Sequence, residues 1–117
     1  MPKITIAALR RKYPHPKRSI NPGYGDYCVG GALCQEAGID RNFPESEFIR
    51  VALLKVSPEI NWHELSDDHR EHIRDLLTET IGANDAGNFR LAWKLLGRAL
   101  RWEKPKAGAA EQERGAE

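Results

Sequence analysis

Apolar side chains recur along this chain at helical spacing, and no alternating run is long enough for a sheet. The clearest stripe is Ile73, Leu76, Leu77, Thr80 and Ile81, spaced i, i+3, i+4, i+7, i+8. Ser66 precedes it as an N-cap, with Asp67 and Asp68 in the first turn, where carboxylates favour the positive end of the helix dipole. Gly82 is the predicted stop. Asn84-Asp85-Ala86-Gly87 then makes a tight turn: Asn84 takes a left-handed C-cap, and Asp85 caps a final helix that runs to about Trp102 on Phe89, Ala92, Trp93, Leu96, Ala99 and Leu100.

Upstream, Pro44 and Ser46 open a helix whose Phe48, Ile49, Val51, Ala52, Leu53, Leu54 and Val56 leave little polar face, so it belongs in the core. Ser57-Pro58 ends it, and the linker 59–65 turns with Trp62 tucked inward. A helix over about 27–37 starts from Asp26 as N-cap and stops at Gly38. A short first helix, about 3–12, carries Ile4, Ala7, Ala8 and Leu9 after Pro2. The pattern predicts an all-α fold, a compact bundle of about five short helices forming a single domain over 1–103. Within it, Pro14, Pro16, Pro22, Gly23 and Gly25 forbid regular structure over 14–25, a long basic loop that is either a contact surface or a strap. From Lys104 to Glu117 nothing apolar anchors the chain, which predicts a flexible or frayed tail.

With 40% hydrophobic residues in 117, the chain supports one core. Its net charge of +1 offers no global steering toward nucleic acid or membrane, but the charges are segregated. Residues 1–25 carry Lys3, Arg10, Arg11, Lys12, Lys17 and Arg18 and no carboxylate; 26–84 hold 12 acids against 5 bases; 85–106 hold 6 bases against 2 acids. The result is a basic rim around an acidic middle. No apolar run approaches the roughly 20 residues of a membrane span and no signal-peptide core is present, which predicts a cytoplasmic protein.

The chemistry-bearing residues cluster in Tyr27-Cys28-Val29-Gly30-Gly31-Ala32-Leu33-Cys34. Paired glycines are costly in a helix, so another element must approach this backbone or something must bind its free amides. Packing against the last helix through Ala92 or Ala99 is the expected reason, ahead of a phosphate cradle shared with Gly23-x-Gly25. Cys28 falls in the first helical turn, where amides and dipole lower a thiol pKa. As a nucleophile it would need His63, His69 or His72 as base, with Asp85 or Asp67 as orienter, and no common cysteine-hydrolase motif fixes such partners. Packing is the simpler reading of both cysteines, which cannot bridge within one helix and fit a reducing compartment.

No metal site is expected: Cys-x5-Cys and His-x5-His-x2-His match no common zinc spacing, the histidines have Asp67, Asp68 and Glu71 as solvated neighbours, and 84–87 lacks the later oxygen ligands of a calcium loop. No cofactor motif is present either. Nucleic-acid binding would draw on the basic loop and the last helix, with Tyr13 and Trp102 as stacking groups, but no recognisable DNA- or RNA-binding signature accompanies them.

The segments Tyr27–Leu33 and Asn84-Asp85-Ala86-Gly87, the latter followed by Phe89 and Ala92-Trp93, resemble small bacterial and phage proteins of unknown function that pair a Cys-x-x-Gly-Ala-Leu helix start with an Asn-Asp turn before a final helix. The likeness spans roughly 24–102, and here the glycine is doubled. It implies an all-helical fold and a bacterial or phage source, and no catalytic residues. The leading expectation is a non-enzymatic accessory module that binds another macromolecule, most plausibly protein, through Arg10, Arg11, Lys12, Lys17, Arg18, Arg90, Lys94, Arg98 and Arg101. The alternatives are a cysteine-nucleophile enzyme using Cys28 and a nucleic-acid-binding protein.

Overall fold

Four of the five α-helices among the described residues begin at a side chain that accepts a free backbone amide. The computed structural model describes residues 4–14, 16, 28–39 and 46–105, and no strand occurs among them. The helices are α1 (Ile6–Lys12), α2 (Val29–Glu36), α3 (Ser46–Val56), α4 (Asp67–Asp85) and α5 (Phe89–Leu100), with a 3₁₀ turn at Trp62–Glu64 between α3 and α4. Thr5 caps α1 through the Ala8 amide, Ser66 caps α4 through His69, and Asn88 caps α5 through Leu91. A cap of this kind contributes about 1 kcal/mol. The all-α expectation holds.

Three helices end the same way. After α2, α4 and α5, an amide one residue past a left-handed position reaches back to a carbonyl of the last turn: Ile39 to Cys34, Asn88 to Ala83, and Glu103 to Arg98. The left-handed residues are Gly38 (φ 76°), Gly87 (φ 80°) and Trp102 (φ 52°). Three expectations at the α4–α5 corner are thereby corrected. Asn84 is a helical residue of α4 and not a left-handed C-cap. Gly82 does not stop α4, because one glycine within a long helix costs too little to break it; the helix runs through Asn84 to Asp85, and Gly87 makes the turn. Asn88, not Asp85, caps α5. A side chain at φ 52° costs roughly 1–2 kcal/mol. Trp102 buries its indole against Trp62, with ring centroids 6.4 Å apart and planes at 64°.

α4 and α5 form an antiparallel hairpin and share the most extensive contact in the fold. It closes at both ends, at the Gly87 turn and where His69 Nε2 meets the Trp102 carbonyl oxygen at 3.0 Å. α2 and α3 pack together and onto α4, and α1 lies on α5. All five helices feed one core, with Leu9, Leu33, Ile49, Leu53, Ile73, Leu77 and Leu96 fully or almost fully buried. Thr80 is sealed inside it and bonds the Leu76 carbonyl oxygen at 2.7 Å, which lets a hydroxyl continue the apolar stripe. Asp26, Pro2, Pro44, most of the loop 14–25 and the tail from Lys106 onward lie outside the described residues.

Candidate functional site

The first turn of α2 is built from both motifs that stand out in the sequence. Cys28, not Asp26, is the N-cap, and its Sγ accepts the Gly31 amide at 3.2 Å. Asn84 reaches across from the last turn of α4, and its Oδ1 accepts the Val29 amide at 2.9 Å. Val29 is fully buried and Asn84 almost so, so this bond meets a donor that water cannot reach. The two glycines are buried, and Gly30 faces α3: a Cβ there would stand 2.5 Å from Ile49 Cδ1. The expected partner, α5 through Ala92 or Ala99, is therefore replaced at Gly30 by Ile49. The amides and the close approach are both satisfied from within the chain.

This environment decides the chemistry of Cys28. Burial pushes its thiol pKa up, further than the amides of Gly31 and Gly30 pull it down, and the carboxylate of Asp85 adds to the rise. Cys34, buried in the core, is pushed up to about 12 by the same desolvation. Both thiols are free. Of the residues named as partners for a nucleophile, the structure brings only Asp85 close, and its charge acts in the wrong direction for thiolate formation.

The histidines lie elsewhere. His72 and Asn84 are twelve residues apart on α4, about 18 Å along its axis, and His69 and His63 stand further on. Nor are His69 and His72 merely solvated neighbours of Asp67, Asp68 and Glu71. His69 is buried beneath the Trp102 carbonyl, and His72 Nε2 lies 3.1 Å from Glu103 Oε1. Arg98 grips the same carboxylate through Nε (2.9 Å to Oε2) and Nη2 (2.7 Å to Oε1), which holds the Glu103 pKa down to about 2. These groups fasten the end of α5 to the start of α4. Among the described residues no three His, Cys, Asp or Glu side chains converge as metal ligands.

The basic residues divide by what already holds them. Lys12 pairs with Glu36 at 2.6 Å, beside the Tyr13 hydroxyl that donates to the same carboxylate, and Arg98 is committed to Glu103. Lys17 and Arg18 lie outside the described residues. Arg10, Arg11, Arg90, Lys94 and Arg101 are exposed, and no carboxylate pairs with them among the described residues. What joins the two basic stretches is Gly97: with no side chain there, Ile6 of α1 settles on α5, its Cγ1 3.0 Å from where a Cβ would be. Arg101 Nη1 lies 3.5 Å from that same point. The α1 and α5 cations thus belong to adjoining elements.

A second feature was not legible in the sequence. Arg50 of α3 and Arg74 of α4 both stand over the indole of Trp62, their guanidinium carbons 5.0 and 5.3 Å from its centroid. Together with Glu47, His63 and Thr78 they line an open groove of about 480 Å³. In sequence Arg50 is one polar position in an apolar helix and Arg74 one of many on a polar face. Only the packing of α3 on α4 makes them neighbours.

No protein-family model, curated protein or solved structure matches this chain. No helix among the described residues is long and apolar enough to cross a membrane.

Proposed function

We propose that this chain is a non-enzymatic helical interaction module that binds an acidic surface of another protein through the rim formed by α1 and α5. The carrying observation is the approach of Ile6 to Gly97, which sets Arg10 and Arg11 on the element beside Arg90, Lys94 and Arg101. Exposed cations that no carboxylate among the described residues pairs favour encounter with an acidic patch and set its orientation. Lys17 and Arg18 extend the same basic segment in sequence. A bacterial or phage source and a cytoplasmic location belong to the same proposal; they rest on the resemblance carried by the Cys28 and Asn84 segments and on two free thiols.

The competing enzyme reading has geometry against it, since Cys28 caps a helix with a raised pKa and the histidines stand at the far end of α4. The nucleic-acid reading shares the rim and is separated by experiment. A purified protein captured by the wild-type chain should bind the triple variant Arg90→Glu, Lys94→Glu, Arg101→Glu about tenfold more weakly or worse, a loss of about 1.4 kcal/mol. Equal binding by the variant removes the rim from the function. A gel shift with DNA or RNA at low salt, abolished in the same variant, would replace protein by nucleic acid as the partner.

A further inference from the structure

The arginines of α3, α4 and α5 fall into two kinds. Arg70 donates from Nη1 to the carbonyl oxygens of Leu65 (2.9 Å) and His63 (3.2 Å) and pairs with Asp67, while Arg98 holds Glu103 with a double contact. These guanidiniums are taken up by the chain's own acceptors. Among the described residues Arg50 and Arg74 make no such hydrogen bonds, and Arg50 has only a loose ion pair with Glu47. The Arg50 side chain is only 24% exposed, yet its guanidinium makes no hydrogen bond among the described residues, and Glu47 Oε1 stands 3.7 Å from Nη2, too far to accept one. Arg74 has neither an ion pair nor a hydrogen bond among the described residues, although Glu71 lies three positions back on its helix. Both stand within cation–π distance of the Trp62 ring and line one groove.

Two guanidiniums gathered on one indole repel each other, and each carries five donors in a rigid fork. An anion in the groove would relieve both deficits. A carboxylate has two oxygens and fills one fork; a phosphate monoester has three terminal oxygens and about −1.5 to −2 charges, enough to face both. The Thr78 hydroxyl is a further donor on the wall, and Glu47, 73% exposed, is free to swing away from an arriving anion. The groove volume of about 480 Å³ falls in the range of small-ligand sites. We propose that the groove between α3 and α4 is a binding site for a phosphate monoester, held by the guanidiniums of Arg50 and Arg74 beside Trp62. The site is separate from the α1–α5 rim and does not depend on it.

The test follows the Trp62 indole N–H and the Arg50 and Arg74 Nε–H signals by NMR in the full chain. Inorganic phosphate, O-phosphoserine, a short phosphoserine peptide and its unphosphorylated twin are each titrated in. Saturable shifts with the phosphate-bearing probes are expected. Arg74→Gln, an exposed position where folding is safe, should weaken them about tenfold or more, Arg74→Lys should weaken them too because it keeps the charge and loses the fork, and Arg90→Gln on the rim should leave them unchanged. A phosphopeptide that binds more tightly than O-phosphoserine identifies a phosphorylated protein as the source, and equal binding identifies a free phosphorylated small molecule; both uphold the site. The proposal falls if no phosphate probe gives a saturable shift, if the unphosphorylated peptide matches its twin, or if Arg90→Gln weakens binding as much as Arg74→Gln.

Discussion

Asn84 Oδ1 accepts the Val29 amide at 2.9 Å, so the last turn of α4 caps the first turn of α2 across 55 residues of sequence. Cys28 takes the Gly31 amide on the same turn. A helix of eight residues is too short to hold itself in water, and α2 is made stable by what its neighbours supply: an acceptor from α4 and a packing wall from α3.

Replacing Asn84 by Ala leaves the Val29 amide buried without a partner, and the cost of such an orphan is about 1–3 kcal/mol. Urea denaturation should report that loss. Hydrogen exchange supplies the specific signature, since Val29 should lose protection more than amides in the middle of α4. A variant as stable as wild type would show that the bond contributes nothing.

At Gly30 the expected effect is steric. Gly30→Ala puts a methyl group 2.5 Å from Ile49 Cδ1 in a fully buried site, an overpacking cost of about 1–3 kcal/mol set against less than about 1 kcal/mol gained in helix propensity. Ile49→Val deletes the offending atom. The double variant should therefore be more stable than the two single losses added together, and strict additivity in a double-mutant cycle would refute the contact.

The glycines of α4 and its turn should respond in opposite directions. A Cβ at Gly82 meets nothing within 4 Å, and the residue is helical, so Gly82→Ala should stabilise the fold by about 0.5–1 kcal/mol. Gly87 sits at φ 80°, so Gly87→Ala should destabilise it by roughly 1 kcal/mol or more. Thermal melts of the two variants should move to opposite sides of wild type.

What the sequence disclosed follows from what is local. Ser66, Gly38 and the stripe from Ile73 to Ile81 act within a few residues of themselves, and the structure keeps each where the pattern put it. Gly82 marks no stop because the packing of α5 on α4 outweighs the low helix propensity of one glycine. Sequence pattern also marked the Cys28 and Asn84 segments as special, and could not say that one caps the other, because nothing in either segment encodes a partner 55 residues away. The groove at Trp62 was hidden for the same reason, with its cations on two helices and its indole on the connection between them. Basic residues were visible as a class, but Lys12 and Arg98 are tied to Glu36 and Glu103 by contacts that spacing does not show.

Acid should loosen the α4–α5 hairpin at a defined place. Arg98 first, and then His72, hold the Glu103 pKa at about 2 against an ordinary value of 4.5. A carboxyl lowered on folding contributes stability that is present above pH 4.5 and drains away as the pH falls toward 2. Glu103 is a third exposed, so solvent screens the pair and the readout is a slope rather than an energy. Glu103→Gln should flatten the fall in melting temperature between those pH values, and an unchanged slope would show that the acid sensitivity lies in other carboxyls.

Alkaline conditions probe the thiols with the opposite sign. Cys34 is raised to about 12 from 9.0, and Cys28 is raised as well, because burial disfavours both thiolates in the folded chain. An acid whose pKa rises on folding contributes stability that is whole below pH 9.0 and is lost as the pH climbs toward 12. Iodoacetamide should therefore label Cys28 slowly at neutral pH, with a rate that keeps rising above pH 9.0, and should reach Cys34 only when the chain opens. Rapid labelling of Cys28 at pH 7 with a plateau by pH 8 would reveal a depressed thiol pKa, and it would return this cysteine to consideration as a nucleophile.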